Sequence, residues 1–267
     1  AAVPTIWLML FEYLEQSGKK LDSLKSCVVG GSACPRFMME KFYEKYGVEV
    51  LHCWGMTETS PIGTINRPLA KHYGQSFSER LDVAVKQGRP VYGVEIKITD
   101  ENDVTLPNNG KDFGNLWIRG PWICSGYLNI EKSETHGEDN WFMTGDVATI
   151  DEDGFMQITD RTKDVIKSGG EWISSIEIEN FAVGHPSVME AGVIGVFHPK
   201  WDERPLLIIV KNENAKVSKE EILGFLKDKI VSWWMPDDVV FVESLPHTAT
   251  GKIQKLALRE QFKDYKF

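Results

Sequence analysis

The sequence predicts an α/β and α+β fold: the end of a βαβ subdomain, an antiparallel β subdomain and a small C-terminal α+β domain. Three observations carry that prediction. LKSCVV (24–29), the helical PRFMMEKFYEKYG and VEVLHCW (48–54) follow one another within about thirty residues, the spacing of strand, crossover helix and parallel strand. From Gly88 the texture becomes short alternating segments with Asn-Gly and Asp-Glu turns, as antiparallel hairpins require. After residue 161, helical and strand patterns alternate over roughly 105 residues, enough for a small domain of its own.

In chain order, TIWLMLFEYLEQ (5–16) has helical spacing and stops at Gly18. GGSACP then turns the first strand into a helix, with Pro35 near the first turn, where a missing N–H costs nothing. WFMTGDVATIDEDGFMQITDR continues the β region with a hairpin at 151–154. Beyond it the pattern predicts a helix near 175–183, strands at 191–197 and 206–211, a helix at 218–233, a strand at 238–243 and a last helix after Lys252. KVSKEEILGFLKDK reads as a helix with a solvated Lys/Glu face, and no internal repeat or low-complexity tract interrupts the chain.

A net charge of −9 argues against broad nucleic-acid or anionic-membrane binding, although a local basic site can still hold phosphates. An apolar share of 42% and a charged share of 26% are those of a folded chain. Cys27, Cys34, Cys53 and Cys124 show no C-x-x-C spacing, so neither a zinc knuckle nor a disulfide scaffold is indicated. A reducing cytosol is the simplest setting, and a cytoplasmic protein is expected. AAVPTIWLMLF is too short to span a bilayer and lacks the basic start of a secretory signal, so no transmembrane segment is expected. With no initiator Met and an opening inside an apolar helical segment, the chain reads as the C-terminal part of something longer.

Several short stretches could carry chemistry. CWGMTETSP (53–61) follows the second parallel strand, and ligands of open α/β sheets sit at strand carboxyl ends. Trp54, Gly55, Thr57 and Glu58 there could stack a base, approach a phosphate and hold Mg²⁺; a polar loop with Thr57 and Thr59 as ordinary caps is the alternative. Gly30 and Gly31 in GGSACP allow either close ligand approach or a tight strand–helix turn. Asp146 in Thr-Gly-Asp could accept from the vicinal hydroxyls of a ribose, or be a hairpin residue. Lys252 follows a Thr-Gly turn just before the last helix, from which a mobile point charge could reach an anion; a cation there is slightly unfavourable for the helix dipole. His52 reads as packed in its strand, and His185-Pro186 and His198-Pro199 as turns. DRTKDVIKSGGEWIS (160–174) combines alternating charge, a glycine pair and a Trp, which neither a solvated turn nor a buried strand would need.

The order of these pieces is more specific than any one of them. Trp-Gly-x-Thr-Glu, Gly-x-Leu-x-x-Arg-Gly through Gly-Tyr (114–127), Thr-Gly-Asp, Asp-Arg-x-Lys-Asp-x-Ile-Lys-x-Gly-Gly-Glu and Thr-Gly-Lys form a series across nearly the whole chain. This resembles the adenylate-forming acyl-CoA synthetases. KSGGEWISS, GHPSV and HPKWDERPLL are most similar to the short- and medium-chain fatty acyl-CoA ligases, including the methylmercaptopropionate-CoA ligases.

The resemblance implies an acid–thiol ligase of fatty acid metabolism. A carboxylate would attack the α-phosphate of ATP, and CoA would then displace AMP from the acyl-adenylate. It implies that residues 1–160 are the last portion of a large AMP-binding domain, with a βαβ part about 1–75 and a β-rich part about 85–160. Residues 161–267 would be a small mobile domain turning about a hinge at Lys163. Trp54 would lie beside the adenine, Gly30, Gly31 and Gly55 near the nucleotide, Thr57 at the α-phosphate, and Glu58 on Mg²⁺. Asp146 and Arg161 would bind the ribose, and Lys252 would stabilise the reacting carboxylate and α-phosphate. Gly169 and Gly170, with Trp172 alongside, would line the pantetheine passage for CoA. The family's phosphate loop and its His-containing substrate motif lie upstream of the point where this chain begins. Partners are then a small carboxylic acid, ATP and CoA, with no nucleic acid; a homodimer is compatible with the reading. A peptide-synthetase adenylation domain, a luciferase-like oxidase and a non-catalytic nucleotide-binding module are the alternatives.

Overall fold

The structure, a computed structural model, describes residues 1–130, 134–248 and 251–267. It divides into two compact units, Ala1–Ile158 and Thr159–Phe267.

The first unit opens with α1 (Pro4–Ser17), β1 (Ser26–Val29), α2 (Arg36–Tyr46) and β2 (Glu49–Trp54). β1 and β2 run parallel, Ser26 opposite Glu49 and Val29 opposite His52, with α2 as the crossover, so the predicted βαβ unit is present. Its core joins Phe11 of α1 to Cys27 and Val29 of β1 and to Met38, Met39 and Phe42 of α2. Burying each such side chain contributes roughly 1.5–3 kcal/mol, which is why this short parallel pair is stable only with helices laid on it. β3 (Thr64–Ile65) and β4 (Arg89–Pro90) extend the sheet antiparallel in the order β1-β2-β3-β4.

Between them lies α3 (Phe77–Ala84), which the apolar pattern does not reveal. Its signal is a capping box instead. The Ser76 side chain accepts from the Glu79 N–H, and the Glu79 carboxylate accepts from the Ser76 N–H at 2.8 Å. The predicted antiparallel region is a second sheet, β5 (Glu95–Thr99), β6 (Gly114–Arg119), β7 (Phe142–Ile150) and β8 (Met156–Arg161), in that order. Trp54, Ile98, Leu116, Ile118, Phe142 and Ile150 fill its core.

The second unit carries a five-stranded sheet. β9 (Ile166–Ser168), β10 (Glu171–Ile173), β11 (Val188–His198) and β12 (Asp202–Lys211) take the order β10-β9-β12-β11, and β13 (Asp238–Val242) pairs with β12 in parallel. β12 is covered on both faces: Leu207 and Ile209 point into one core, Leu206, Ile208 and Val210 into the other. α4 (Ser175–Ala182), α5 (Lys219–Leu226) and α6 (Lys255–Gln261) supply those cores with Ile178, Ile222 and Leu258.

Three boundaries differ from the sequence reading. β11 and β12 start earlier than 191 and 206, because they form one continuous hairpin whose ladder runs to His198 opposite Asp202. The helix expected over 218–233 stops at Leu226. The segment after it is captured by Arg204, a guanidinium only 7% exposed, which donates to the carbonyls of Trp233 (2.9 Å) and Met235 (3.0 Å) and to Asp237 Oδ1 (2.7 Å). Those carbonyls are used by a side chain, so the apolar run past Leu226 folds irregularly across β12. Among the described residues no helix is long and apolar enough to cross a membrane.

Candidate functional site

In the first unit, the expected nucleotide-side residues converge on the carboxyl ends of β1 and β2. Gly30 leaves β1 so close to β2 that a Cβ would stand 3.2 Å from the Cys53 carbonyl oxygen. A Cβ on Gly31 would meet Val3 at 3.0 Å. Both glycines therefore serve the tight turn, whatever else they do. Gly55 has a stronger reason to lack a side chain: a Cβ would lie 1.7 Å from the Pro61 carbonyl oxygen, so the 53–61 loop closes only around glycine.

That closed loop presents Thr57 and Glu58 on a short 3₁₀ turn, Thr57–Thr59. Thr57 is exposed and Glu58 half-buried, whereas Thr59 is buried, its hydroxyl donating to the Pro61 carbonyl at 2.6 Å. Thr59 is thus the cap and Thr57 the outward hydroxyl. Glu58 is held at both ends: its carbonyl accepts from the Cys124 N–H (2.9 Å) and its carboxylate from the Tyr127 hydroxyl (2.9 Å). Burial and the neighbouring Glu58 carboxylate push the Tyr127 phenol up to about 12, so it remains a donor.

Trp54, 9% exposed, donates from Nε1 to Asp146 Oδ2 at 2.9 Å. The indole is a buried wall whose visible polar partner is that carboxylate. Asp146 is itself 3% exposed, and its N–H is tied to Thr144 Oγ1 at 3.1 Å. Thr-Gly-Asp therefore sits in the buried strand β7 and not at a hairpin tip, the alternative the sequence left open. Residues 92 apart in sequence share this bond, and no spacing rule could have paired them.

His52 is packed, as expected. Its Nε2 accepts from the Cys34 N–H (3.2 Å) and Nδ1 faces the Val85 carbonyl (3.0 Å), which fixes a neutral tautomer. Burial pulls its pKa down to about 4. His185 lies in a turn as predicted, whereas His198 ends β11 and only borders the turn expected there; each accepts the N–H two residues on at 3.1 Å.

The remaining site candidates lie in the second unit. Arg161 and Lys163 are exposed in a turn closed by the Asp164 and Val165 N–H groups on the Arg161 carbonyl. Gly169 packs under Trp201 and Trp233; a Cβ would stand 3.0 Å from the Trp201 ring, and its N–H is bonded to the Trp201 carbonyl at 2.8 Å. Gly170, at φ +88°, has nothing within 4 Å of a Cβ. The two glycines thus differ: one is a packing position and the other faces open space. Trp172 is half-buried with the Lys167 ammonium over its ring at 5.6 Å. Lys252 is exposed, and its N–H bonds Thr248 Oγ1 at 3.2 Å; Thr250 of the Thr-Gly-Lys turn lies outside the described residues.

Sequence reasoning missed Tyr127 as the partner of Glu58, the Arg204 clamp, and a buried cluster of Asp160, Ser175, Glu179 and Lys255. Each joins residues distant in sequence, and only the fold brings them together. Among the described residues no group of three or more His, Cys, Asp or Glu side chains could hold a metal ion. A single carboxylate at Glu58 still fits Mg²⁺, which is commonly held by one or two carboxylates together with substrate phosphates and water.

Comparison with known proteins finds relatives along nearly the whole chain. The family described as AMP-binding enzyme matches residues 1–128, and its C-terminal domain matches residues 177–252. The chain is 53% identical over 262 residues to a 3-methylmercaptopropionyl-CoA ligase of Ruegeria lacuscaerulensis, across 98% of this chain and 48% of the relative. It is 50% identical to a medium-chain-fatty-acid–CoA ligase of Ectopseudomonas oleovorans, with the same coverage. Among solved structures, ATP-bound MatB from Rhodopseudomonas palustris superposes with a TM-score of 0.81 at 30% identity, over 98% of this chain and 50% of that one. The o-succinylbenzoate CoA synthetase of Bacillus subtilis, in complex with its acyl-adenylate, gives 0.81 at 30% over 99% and 50%. The chain spans about half the length of the curated relatives it matches.

Proposed function

The chain belongs to the AMP-binding enzyme family, and from that premise we propose that it is the nucleotide- and CoA-handling part of an acyl-CoA ligase for short- or medium-chain carboxylic acids. The observation that carries the reading is the buried Trp54–Asp146 bond beside the Gly55–Glu58 loop at the carboxyl end of β2. It fixes a carboxylate in a low-dielectric setting where it can accept from two adjacent hydroxyls, the demand a ribose makes.

In this reading Thr57 donates to the α-phosphate and Arg161 shares the ribose with Asp146. Lys252 is brought to the reacting carboxylate and α-phosphate, where its charge offsets the negative charge that develops as the acyl–phosphate bond forms. Glu58 holds Mg²⁺, which when bound neutralises phosphate charge. Pyrophosphate leaves; the CoA thiol then attacks the acyl carbonyl and AMP departs. Gly170 leaves room for the pantetheine arm, with Trp172 beside it, and Lys163 is the hinge about which the second unit moves between the two half-reactions. All four cysteines are free thiols, in keeping with the cytoplasmic setting we propose.

Pyrophosphate exchange and acyl-CoA formation, measured on the complete native enzyme with a panel of carboxylic acids, test this. Lys252→Ala should slow acyl-adenylate formation by about 10²- to 10³-fold, as loss of one preorganised charge does. The variant should still convert preformed acyl-adenylate and CoA to thioester. Equal loss in both assays would remove Lys252 from that role. A second reading, a nucleotide-binding module without catalysis, draws on the chain's spanning about half of its relatives. ATP binding by the purified 267-residue chain with no pyrophosphate release would favour it for that chain.

A further inference from the structure

The second unit contains a buried ammonium that the proposed chemistry does not use. Lys255 is the first residue of α6, three positions after Lys252. A cation at a helix N-terminus opposes the helix dipole, and no side chain caps this one. Lys255 is nevertheless nearly buried, 10% exposed, and stands 3.0 Å from Glu179 Oε1 and 3.8 Å from Asp160 Oδ1. It also donates to the Ser175 hydroxyl, which in turn donates to Asp160. Asp160 further accepts the N–H groups of Arg161 (2.8 Å) and Ser175 (3.0 Å), and Glu179 accepts from Val193 N–H (2.8 Å). Burial opposes the charge on Lys255, but Glu179, Asp160 and Asp164 together outweigh it and hold its pKa above the usual value.

One turn further along α6, Arg259 Nη1 donates to Asp164 Oδ1 at 2.6 Å. Lys255 and Arg259 are four apart and share a helix face; Asp160 and Asp164 are also four apart. Two ion pairs therefore bracket Lys163 on one side and hold the helix that follows Lys252 on the other. The turn carrying Lys252 is short and closed at its base: the Gln254 N–H bonds the Pro246 carbonyl at 2.8 Å, and His247 bridges to Ile253. Its direction then follows from how α6 is seated, with a second tether where His247 meets Glu190 at 3.1 Å. Stability alone does not call for this arrangement, because well-packed apolar residues commonly replace a buried ion pair at no loss.

We infer that Lys255 and Arg259 are positioning residues for acyl-adenylate formation: through Asp160 and Asp164 they lock the Lys252 turn to the segment around Lys163, so that Lys252 is aimed by the position of that segment. The inference rests on the reading of Lys252 as the adenylation lysine. It goes beyond that reading by assigning the aim of the lysine to two ion pairs that touch no substrate.

The test uses the complete native enzyme and both half-reactions. Lys255→Met should reduce pyrophosphate exchange by about 30- to 100-fold, the scale of a misplacement near 1 Å. Arg259→Gln, at a more exposed pair, should reduce it by about 5- to 10-fold by the same misplacement on a smaller scale. Both variants should convert preformed acyl-adenylate and CoA within about threefold of the native rate, since no aim of Lys252 is needed there. Exchanging the charges, Arg259→Asp with Asp164→Arg, should recover part of the lost exchange. Parallel loss in the two half-reactions overturns the inference, because that is what a folding defect alone produces. Exchange within about threefold of native in both variants overturns it too. If Lys255→Met does not fold, Arg259→Gln and the charge exchange decide by the same criteria. A native enzyme without any pyrophosphate exchange removes the reading of Lys252 as well; an active native enzyme with unaffected variants removes this inference alone.

Discussion

Glu58 shows what one residue owes to its neighbours. Its backbone is pinned by Cys124 and its carboxylate by Tyr127, so a single acidic side chain on a three-residue turn has a defined direction. Tyr127 stays protonated across the working range, with its phenol pushed up to about 12 by burial and by the same carboxylate. Tyr127→Phe should therefore loosen Glu58 without altering its charge. We expect the Mg²⁺ concentration for half-maximal adenylation to rise about three- to tenfold, roughly 1 kcal/mol for a bond to a charged acceptor at a half-exposed site. Glu58→Gln should raise it further, and a Mg²⁺ titration of the two variants checks the order. A lower requirement in Tyr127→Phe would mean that the phenol competes with the metal. The sequence showed Glu58 through its motif but not Tyr127 as its partner, since the two are 69 residues apart and meet only through the fold.

At the scale of elements, the glycine pair after β9 separates two demands that look alike in sequence. Gly169 is pressed against Trp201 and Trp233, rings that are themselves in edge contact at 4.9 Å. Gly170 is open but held at φ +88°. Asn tolerates positive φ better than other residues with a Cβ, so Gly170→Asn should cost about 1 kcal/mol in stability. It should also slow thioester formation from preformed adenylate while leaving pyrophosphate exchange near native. Gly169→Ala should lower the melting temperature more and depress both half-reactions together, because an indole cannot swing away cheaply. A stable Gly170→Asn enzyme with normal CoA turnover would end the passage idea. Element reading succeeded where burial is periodic, as in α2 with Met38, Met39 and Phe42 on one face. It overran at α5, because nothing local in 227–235 shows that Arg204 will take the carbonyls. It missed α3, whose evidence is the Ser76–Glu79 box and not an apolar stripe.

The whole molecule consists of two units with separate cores, so thermal unfolding should show two transitions, and acid should act on them differently. His52 is fully buried in the first unit as the neutral imidazole, between the Cys34 N–H and the Val85 carbonyl. Burial lowers its pKa from 6.5 to about 4, so the unfolded state binds the proton more readily. Its contribution to stability is complete above pH 6.5 and declines as the pH falls toward 4. Between pH 7 and pH 5 that amounts to about 2 kcal/mol, a fall of roughly 5 °C for a unit of this size. The carboxylates held low by partners, Glu15 with Lys41 and Lys45 foremost, lose their stabilisation only below about pH 4.5, so the window isolates the imidazole. In the second unit, burial raises the Glu179 carboxyl against the pull of Lys255, and that shift does not weaken the fold as acid is added. Calorimetry at pH 7 and pH 5 should therefore move the transition of the first unit down and leave that of the second nearly in place. His52→Gln keeps an acceptor and a donor without a titrating group, so it should abolish most of the shift even if it lowers the starting temperature. Equal displacement of both transitions, or an undiminished shift in His52→Gln, would show that the acid sensitivity lies elsewhere.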